Sequence, residues 1–192
     1  MSSKTFDSAK VAAGAEMLLE GMGIDWKNDE NFKETPQRVA RAFKEFTLGL
    51  YDEFTNIKKF KSKYTGIIFF KSIRAIGLCP HHLLPIYYDV AFAYSPNGEV
   101  LGLSKIARII KHLAAKPVLQ EDMTKDINSY FDKVLKPRGV AVLIKGVHGC
   151  MRYRGVREAE EIKTMEFSGI FINGASERGE FFSMLNEKYD SV

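Results

Sequence analysis

A turn sequence, Ser95-Pro96-Asn97-Gly98, stands between two apolar runs and constrains this chain more than any other feature. Pro presets one turn dihedral, and Asn and Gly accept the left-handed backbone that a reversal needs. The flanking runs, Ile86 to Tyr94 and Val100 to Leu103, therefore read as strands. Thr65 to Ile76, rich in Ile and Phe, reads as another, as do Val140 to Ile144, extending toward Met151, and Lys163 to Ile172. Helical spacing marks the rest. Val11, Ala12, Ala15, Leu18 and Leu19 share one face of a helix from Asp7 to Glu20, which Gly21 and Gly23 stop. Thr35 as N-cap and Pro36 at the first helical position open a second, running through Val39, Phe43 and Phe46 toward Gly49. Ser104 caps a third, which carries Ile106, Ile109, Ile110 and Leu113. Beyond Pro117, Ile127, Tyr130, Phe131, Val134 and Leu135 form the apolar stripe of a fourth, and Pro137-Arg138-Gly139 is a turn. Glu177 to Glu187 reads as a closing helix.

The order is two helices, strands, two helices, strands and a short helix. Strands grouped in hairpins and helices grouped in pairs predict an α+β fold, with helices on one face of an antiparallel sheet. About four strands in an open sheet leave two edges that must be paired or covered. Sheets joined between subunits meet that need, so a homo-oligomer is expected. The 192 residues suit roughly one domain, with residues 1–50 as a helical N-terminal segment and 51–192 as the sheet-bearing part. The formal charge of +4 is too small an excess to argue for a nucleic acid, and it suits a small anionic ligand. No apolar run reaches the ~18–20 residues of a membrane span, and the first residues lack the order of a secretory signal. A soluble, cytoplasmic protein without nucleic-acid or membrane partners is expected.

The chemistry is concentrated in two short segments. The chain holds four histidines and two cysteines. Cys79-Pro80-His81-His82 sets a thiol and an imidazole three residues apart, and His148-Gly149-Cys150 sets another such pair two apart. Positions two apart share one face of a strand, and a tight turn brings positions three apart together. Thiolate sulfur and neutral imidazole are the ligands zinc prefers; the competing reading is two core thiols. The spacing leaves two zinc sites open. Cys79, His82, His148 and Cys150 would close a four-ligand structural site. Cys79, His82 and Cys150 alone would leave a position for water and free His81 and His148 to carry protons.

Gly102-Leu103-Ser104-Lys105-Ile106-Ala107-Arg108 offers helix-start N–H groups, a hydroxyl and two cations, which together suit phosphate. An ordinary cap followed by solvated basic residues is the alternative. Arg152, Arg154 and Arg157 follow Cys150, and strand alternation would set Arg152 and Arg154 on its face, where guanidinium forks suit phosphate oxygens; plain surface charge is the alternative. The basic run Lys58 to Tyr64 reads as a solvated face of a loop or strand, and His112 as a helix-surface residue.

At these residues the sequence resembles the GTP cyclohydrolase I family. The matching segments include Glu34-Thr35-Pro36-Gln37-Arg38-Val39-Ala40, Cys79-Pro80-His81-His82-Leu83-Leu84-Pro85, Gly102 to Ile109, Lys116-Pro117-Val118-Leu119-Gln120-Glu121, Val147-His148-Gly149-Cys150 and Arg154-Gly155-Val156-Arg157. The resemblance implies the tunnelling fold, in which subunits pool antiparallel sheets into a barrel, and a homodecamer with active sites between subunits. It implies Zn2+ on Cys79, His82 and Cys150, and proton transfer by His81 and His148. It also implies purine recognition by Gln120 and Glu121, and triphosphate contacts from Ser104, Lys105, Arg108 and Arg154, with Arg38 added from a neighbouring subunit. The implied reaction is hydrolysis of GTP at C8, loss of formate and closure to 7,8-dihydroneopterin triphosphate, a hydrolase step of pterin and tetrahydrofolate biosynthesis and so of one-carbon metabolism. Two departures stand out. Pro80 replaces the family's usual Glu, a carboxylate that would orient an arginine such as Arg154. Glu158 to Phe167 is Glu-rich where the family is rich in Ser and Thr. These changes leave a second reading in view, in which a zinc protein of this fold acts on another purine nucleotide or binds a purine or pterin without full catalysis.

Overall fold

The computed structural model describes residues 5–51, 54, 57–158 and 160–187. The chain divides into two compact units, Met1–Glu53 and Phe54–Val192.

The first unit is a pair of packed helices, α1 (Ser8–Gly21) and α2 (Thr35–Phe46), followed by a 3-10 turn at Leu48–Leu50. Asp7 caps α1, its Oδ1 accepting from the Lys10 N–H at 3.0 Å, and Ala15 and Leu19 are the buried positions of the stripe. Helix α2 starts one residue before its expected position. Glu34 is the N-cap without a side-chain bond, so Thr35 is already helical.

The second unit contains β1 (Lys59–Lys61), β2 (Ile68–Leu78), β3 (Pro85–Ser95), β4 (Glu99–Leu101), α3 (Leu103–Ala114), α4 (Gln120–Leu135), β5 (Gly139–His148), α5 (Gly149–Arg152), β6 (Ile162–Phe167), α6 (Ile170–Asn173) and α7 (Ala175–Asn186). The main sheet has the order β2-β3-β5-β6 and is antiparallel throughout. The reversal at Ser95 to Gly98 is present, with Gly98 at φ +83°, but the strands it joins do not pair with each other. β3 is already flanked by β2 and β5, so β4 pairs instead with β1 in a separate two-stranded ribbon.

Alternation sorts the sheet into two faces. Val90, Phe92 and Tyr94 of β3 and Val140, Val142 and Ile144 of β5 face one side. There α3 and α4 cover them with Ile106, Ile109, Ile110, Met123, Ile127 and Phe131, all fully buried. The rings of Phe92 and Phe131 lie 4.4 Å apart. Each such side chain contributes about 1.5–3 kcal/mol by leaving water. The expected α+β layout, with a helix pair on one face of an antiparallel sheet, is what the chain adopts. The closing helices α6 and α7 lie on the other face, where Phe171 and Phe181 pack on Ala91, Ala93, Ala141 and Leu143. Two expected strands end early. β5 stops at His148 and passes into α5, and β6 stops at Phe167, after which Gly169 at φ +54° turns the chain into α6. Among the described residues, no helix is long and apolar enough to cross a membrane.

Candidate metal centre and active site

Leu78 and Pro85 pair at the ends of β2 and β3, so Cys79 to Leu84 forms a closed loop. The Cys79 N–H donates to the Leu84 carbonyl at 2.9 Å, and the Leu83 N–H donates to the Cys79 carbonyl at 2.8 Å. Leu83 adopts φ +54°, a left-handed conformation that costs a non-glycine residue about 1–2 kcal/mol. Ile86 pairs with His148, which brings the end of β5 against the start of β3. The next residue must come closer still. A Cβ at Gly149 would stand 2.8 Å from the Pro85 carbonyl oxygen, so only glycine lets α5 begin there.

The result is convergence. Ligand atoms of Cys79, His82 and Cys150 all lie within 4.8 Å of one another. Cys79 Sγ is 3.7 Å from His82 Nδ1, close to the roughly 3.5 Å between a sulfur and a nitrogen sharing a tetrahedral zinc. Burial and the neighbouring Cys79 sulfur push the Cys150 thiol up, and the Arg154 guanidinium pulls it partly back. Two sulfurs so close repel as thiolates, and a divalent cation between them removes that cost. Two thiols and an imidazole therefore fit zinc. His81 Nδ1 approaches the same sulfur to 3.8 Å but is not part of the convergent set. His148 turns elsewhere, its Nε2 2.9 Å from Gln120 Oε1.

Because α5 intervenes, strand alternation does not set Cys150, Arg152 and Arg154 on one face. The Arg152 guanidinium lies over the Tyr153 ring at 5.8 Å. Arg154 Nη1 lies 2.6 Å from His82 Nε2. Arg157 sits at φ +55°, and its N–H bonds the Arg154 carbonyl.

The start of α4 is tied to the same loop. Leu78 bridges Pro117, and the Val118 N–H donates to the Leu78 carbonyl at 3.3 Å. Glu121 is exposed in the first turn of α4, where the helix dipole favours a carboxylate. Gln120 is only 2% exposed, and both ends of its amide are engaged within the protein. Burial pushes the His148 pKa down, and the Glu121 carboxylate acts against that shift. Ser104, Lys105 and Arg108 form their own group at the start of α3. Gly102 is the N-cap there, so the Ser104 hydroxyl is not the cap. Lys105 Nζ lies 5.2 Å from the centre of the Phe54 ring. Arg38, in the first unit, donates to Glu34 at 2.8 Å. The basic run forms β1, with Lys59 paired to Glu99, an exposed strand as expected.

Sequence reasoning missed Tyr88. Its hydroxyl is buried with no hydrogen-bond partner among the described residues, and its pKa is pushed up by burial first, then by Cys79 and Glu121. The phenol thus lies within electrostatic reach of both. Alternation from Ile86 would place it inward, but an inward tyrosine reads as core. A cavity of about 510 Å³ opens on the other sheet face, among Arg74, Tyr87, Asp89, Lys145, Val147 and Glu161, and none of the three convergent ligands lines it.

The sequence profile of GTP cyclohydrolase I matches residues 11–186. The chain belongs to the GTP cyclohydrolase I family. The GTP cyclohydrolase 1 of Sulfurihydrogenibium sp. is 37% identical over 181 residues, covering 94% of this chain and 96% of its own length. That of Aquifex aeolicus is 35% identical over 186 residues, covering 93% and 97%. The solved apo structure of the archaeosine synthase QueF-Like matches 57% of this chain and 97% of its own at 18% identity, with a TM-score of 0.43. As a member of the family the chain is a hydrolase with the tunnelling fold. Within one chain the sheet is open, ending at β2 and β6, so closing a barrel is a matter of assembly.

Proposed function

We propose that the protein is a zinc-dependent GTP cyclohydrolase that opens GTP at C8, releases formate and forms 7,8-dihydroneopterin triphosphate. The observation that carries this reading is the convergence of Cys79, His82 and Cys150 beside a histidine, His148, that is bonded away from them. Zinc bound by those three side chains would supply Lewis acidity for hydrolysis at neutral pH.

The other roles follow from the side chains. Glu121, exposed in the first turn of α4, accepts from the N–H edge of guanine, a donor pair that adenine lacks. Gln120 supports that end from below. Ser104, Lys105, Arg108 and Arg154 take the triphosphate, with Arg38 completing it from a neighbouring subunit of a homodecamer. His148, whose charged form burial disfavours, exchanges a proton with the imidazole ring as C8 is hydrolysed. His81, exposed in the Cys79 loop, moves protons while the ribose rearranges. Two waters are consumed in freeing C8 as formate and one is lost on ring closure, so GTP and one water balance formate and the pterin.

Zinc-replete protein incubated with GTP, with products resolved by chromatography and mass, tests the reading. Formate with dihydroneopterin triphosphate supports it and shows that Pro80 is tolerated. A formamide intermediate alone places the defect in the later steps. Unchanged GTP, with zinc bound and the fold intact, overturns it in favour of another purine or a binding role. Cys150→Ser should lose zinc and turnover yet stay folded; unchanged zinc content would remove Cys150 from the ligand set.

A further inference from the structure

Helix α4 presents an unusual stripe to the sheet. Gln120, Thr124 and Asn128, spaced four apart, are 2%, 2% and 5% exposed. Buried polar groups without partners are costly, and these are partnered with β5 and β6. Asn128 Nδ2 donates toward the carbonyls of Val140 and Glu166. Thr124 Oγ1 donates to the Gln120 carbonyl at 2.7 Å and lies 2.6 Å from Thr164 Oγ1.

Gln120 has one chemically consistent orientation. Its Nε2 lies 2.9 Å from the Ile162 carbonyl, 3.1 Å from Thr164 Oγ1 and 3.4 Å from the Ile144 carbonyl. Backbone carbonyls only accept, so the NH₂ end must face them. The amide oxygen then faces His148 Nε2 at 2.9 Å. An amide oxygen also only accepts, so His148 Nε2 carries the proton and Nδ1 is the basic nitrogen of the neutral ring.

A second feature points to the same pair. Gly146 interrupts β5, although glycine weakens a strand interior. A Cβ there would stand 2.0 Å from Gln120 Oε1 and 3.3 Å from His148 Nε2. The missing side chain is the space in which the amide meets the imidazole.

We propose that Gln120 is a positioning residue that holds His148 as its Nε2–H tautomer, seated by Gly146 and locked by Thr164, so that Nδ1 is the nitrogen that exchanges protons with substrate. This rests on the reading of His148 as the proton carrier, but its structural half does not depend on turnover. Fixing the tautomer removes an unproductive population of the ring and sets which face of it works.

The test is made on the zinc-loaded, assembled protein with ¹⁵N-labelled histidine. With four histidines in the chain, the His148 signals are assigned by their loss in His148→Gln. Long-range ¹H–¹⁵N spectra should show a protonated Nε2 and a bare Nδ1. Gln120→Met, which removes the acceptor, and Gly146→Ala, which expels the amide, should each average the two tautomers. Both should lower kcat by about 10- to 100-fold, part of the 10²–10⁴ that a positioned acid or base contributes, while KM for GTP changes less than about twofold. Gln120→Glu, which keeps an acceptor in place, should restore the Nε2–H signal. A wild-type His148 protonated at Nδ1, or a tautomer unmoved in both variants, would overturn the proposal. So would a Gln120→Met effect confined to KM, which would make the amide a substrate contact. A preference present in the wild type and lost in both variants supports positioning even if GTP is inert, in which case the product assay alone condemns the catalytic reading.

Discussion

Helices α3 and α4 lie on the same face of the same sheet, yet they bury opposite kinds of surface. Helix α3 meets the sheet with Ile106, Ile109, Ile110 and Ala114, each 0% exposed. Helix α4 does the same with Met123, Ile127 and Phe131, but adds the polar stripe of Gln120, Thr124 and Asn128 along its β6 side. The apolar contact supplies stability and specifies little beyond shape. The polar contact adds little net stability, because each bond only replaces one to water, but it fixes orientation atom by atom. The stripe ends at the His148 contact, where orientation matters most.

The comparison can be broken from either side. The largest expected effect is on α3. Ile109→Ala should cost about 2–5 kcal/mol of stability, read by denaturant unfolding, while the protein that remains folded keeps its kcat. A collapse of kcat without a stability change would mean that α3 does more than pack. On α4, Glu121→Gln should lower kcat/KM for GTP by about 10- to 100-fold, since a hydrogen bond to a charged group is worth about 1.5–3 kcal/mol, with little change in Tm. Asn128→Ala sharpens the contrast within the stripe. It removes the Nδ2 bonds to the Val140 and Glu166 carbonyls, of which Val140 keeps the Ser168 N–H, so it should cost about 1 kcal/mol and leave kcat and the His148 tautomer untouched, because Asn128 lies two helical turns from Gln120. Smallest is Thr124→Val, about 1 kcal/mol or some 2–4 °C in Tm. Its kcat loss should be well below that of Gln120→Met.

The legible parts of this molecule were those that local pattern encodes. The stripes of α1, α3 and α4 and the strands β2, β3 and β5 announce themselves because burial on one face imposes a period. Cys79, His82 and Cys150 were legible as candidate ligands because soft ligands are rare in this chain and sit near one another's histidines, but the spacing also admitted His148, and only the family resemblance left it out. What local pattern hides is long-range bonding. Gln120, Thr124 and Asn128 sit among Asp and Lys residues and look like a solvated face, since nothing nearby in sequence reveals that β6 supplies their partners. The pairing of β1 with β4 has the same cause. The single turn α5 is too short for a period to show, so the strand pattern was carried through Cys150; Arg152 lies over Tyr153 instead, while Arg154 reaches His82 by another route. Tyr88 was missed because an inward phenol is indistinguishable from core until its hydroxyl is found without a partner among the described residues.

Leu78 occupies an unusual place in this arrangement. It ends β2 immediately before Cys79, and its carbonyl also holds the Val118 N–H that leads into Gln120 and Glu121. The Cys79 loop and the start of α4 are therefore jaws on a common pin. A displacement of this strand end would be passed to both, since each is bonded to the same residue. If the jaws hold metal and purine as proposed, they would gauge a ligand by length, accepting a purine of one reach between base edge and C8 while α3 and the arginines proposed to take phosphate shift.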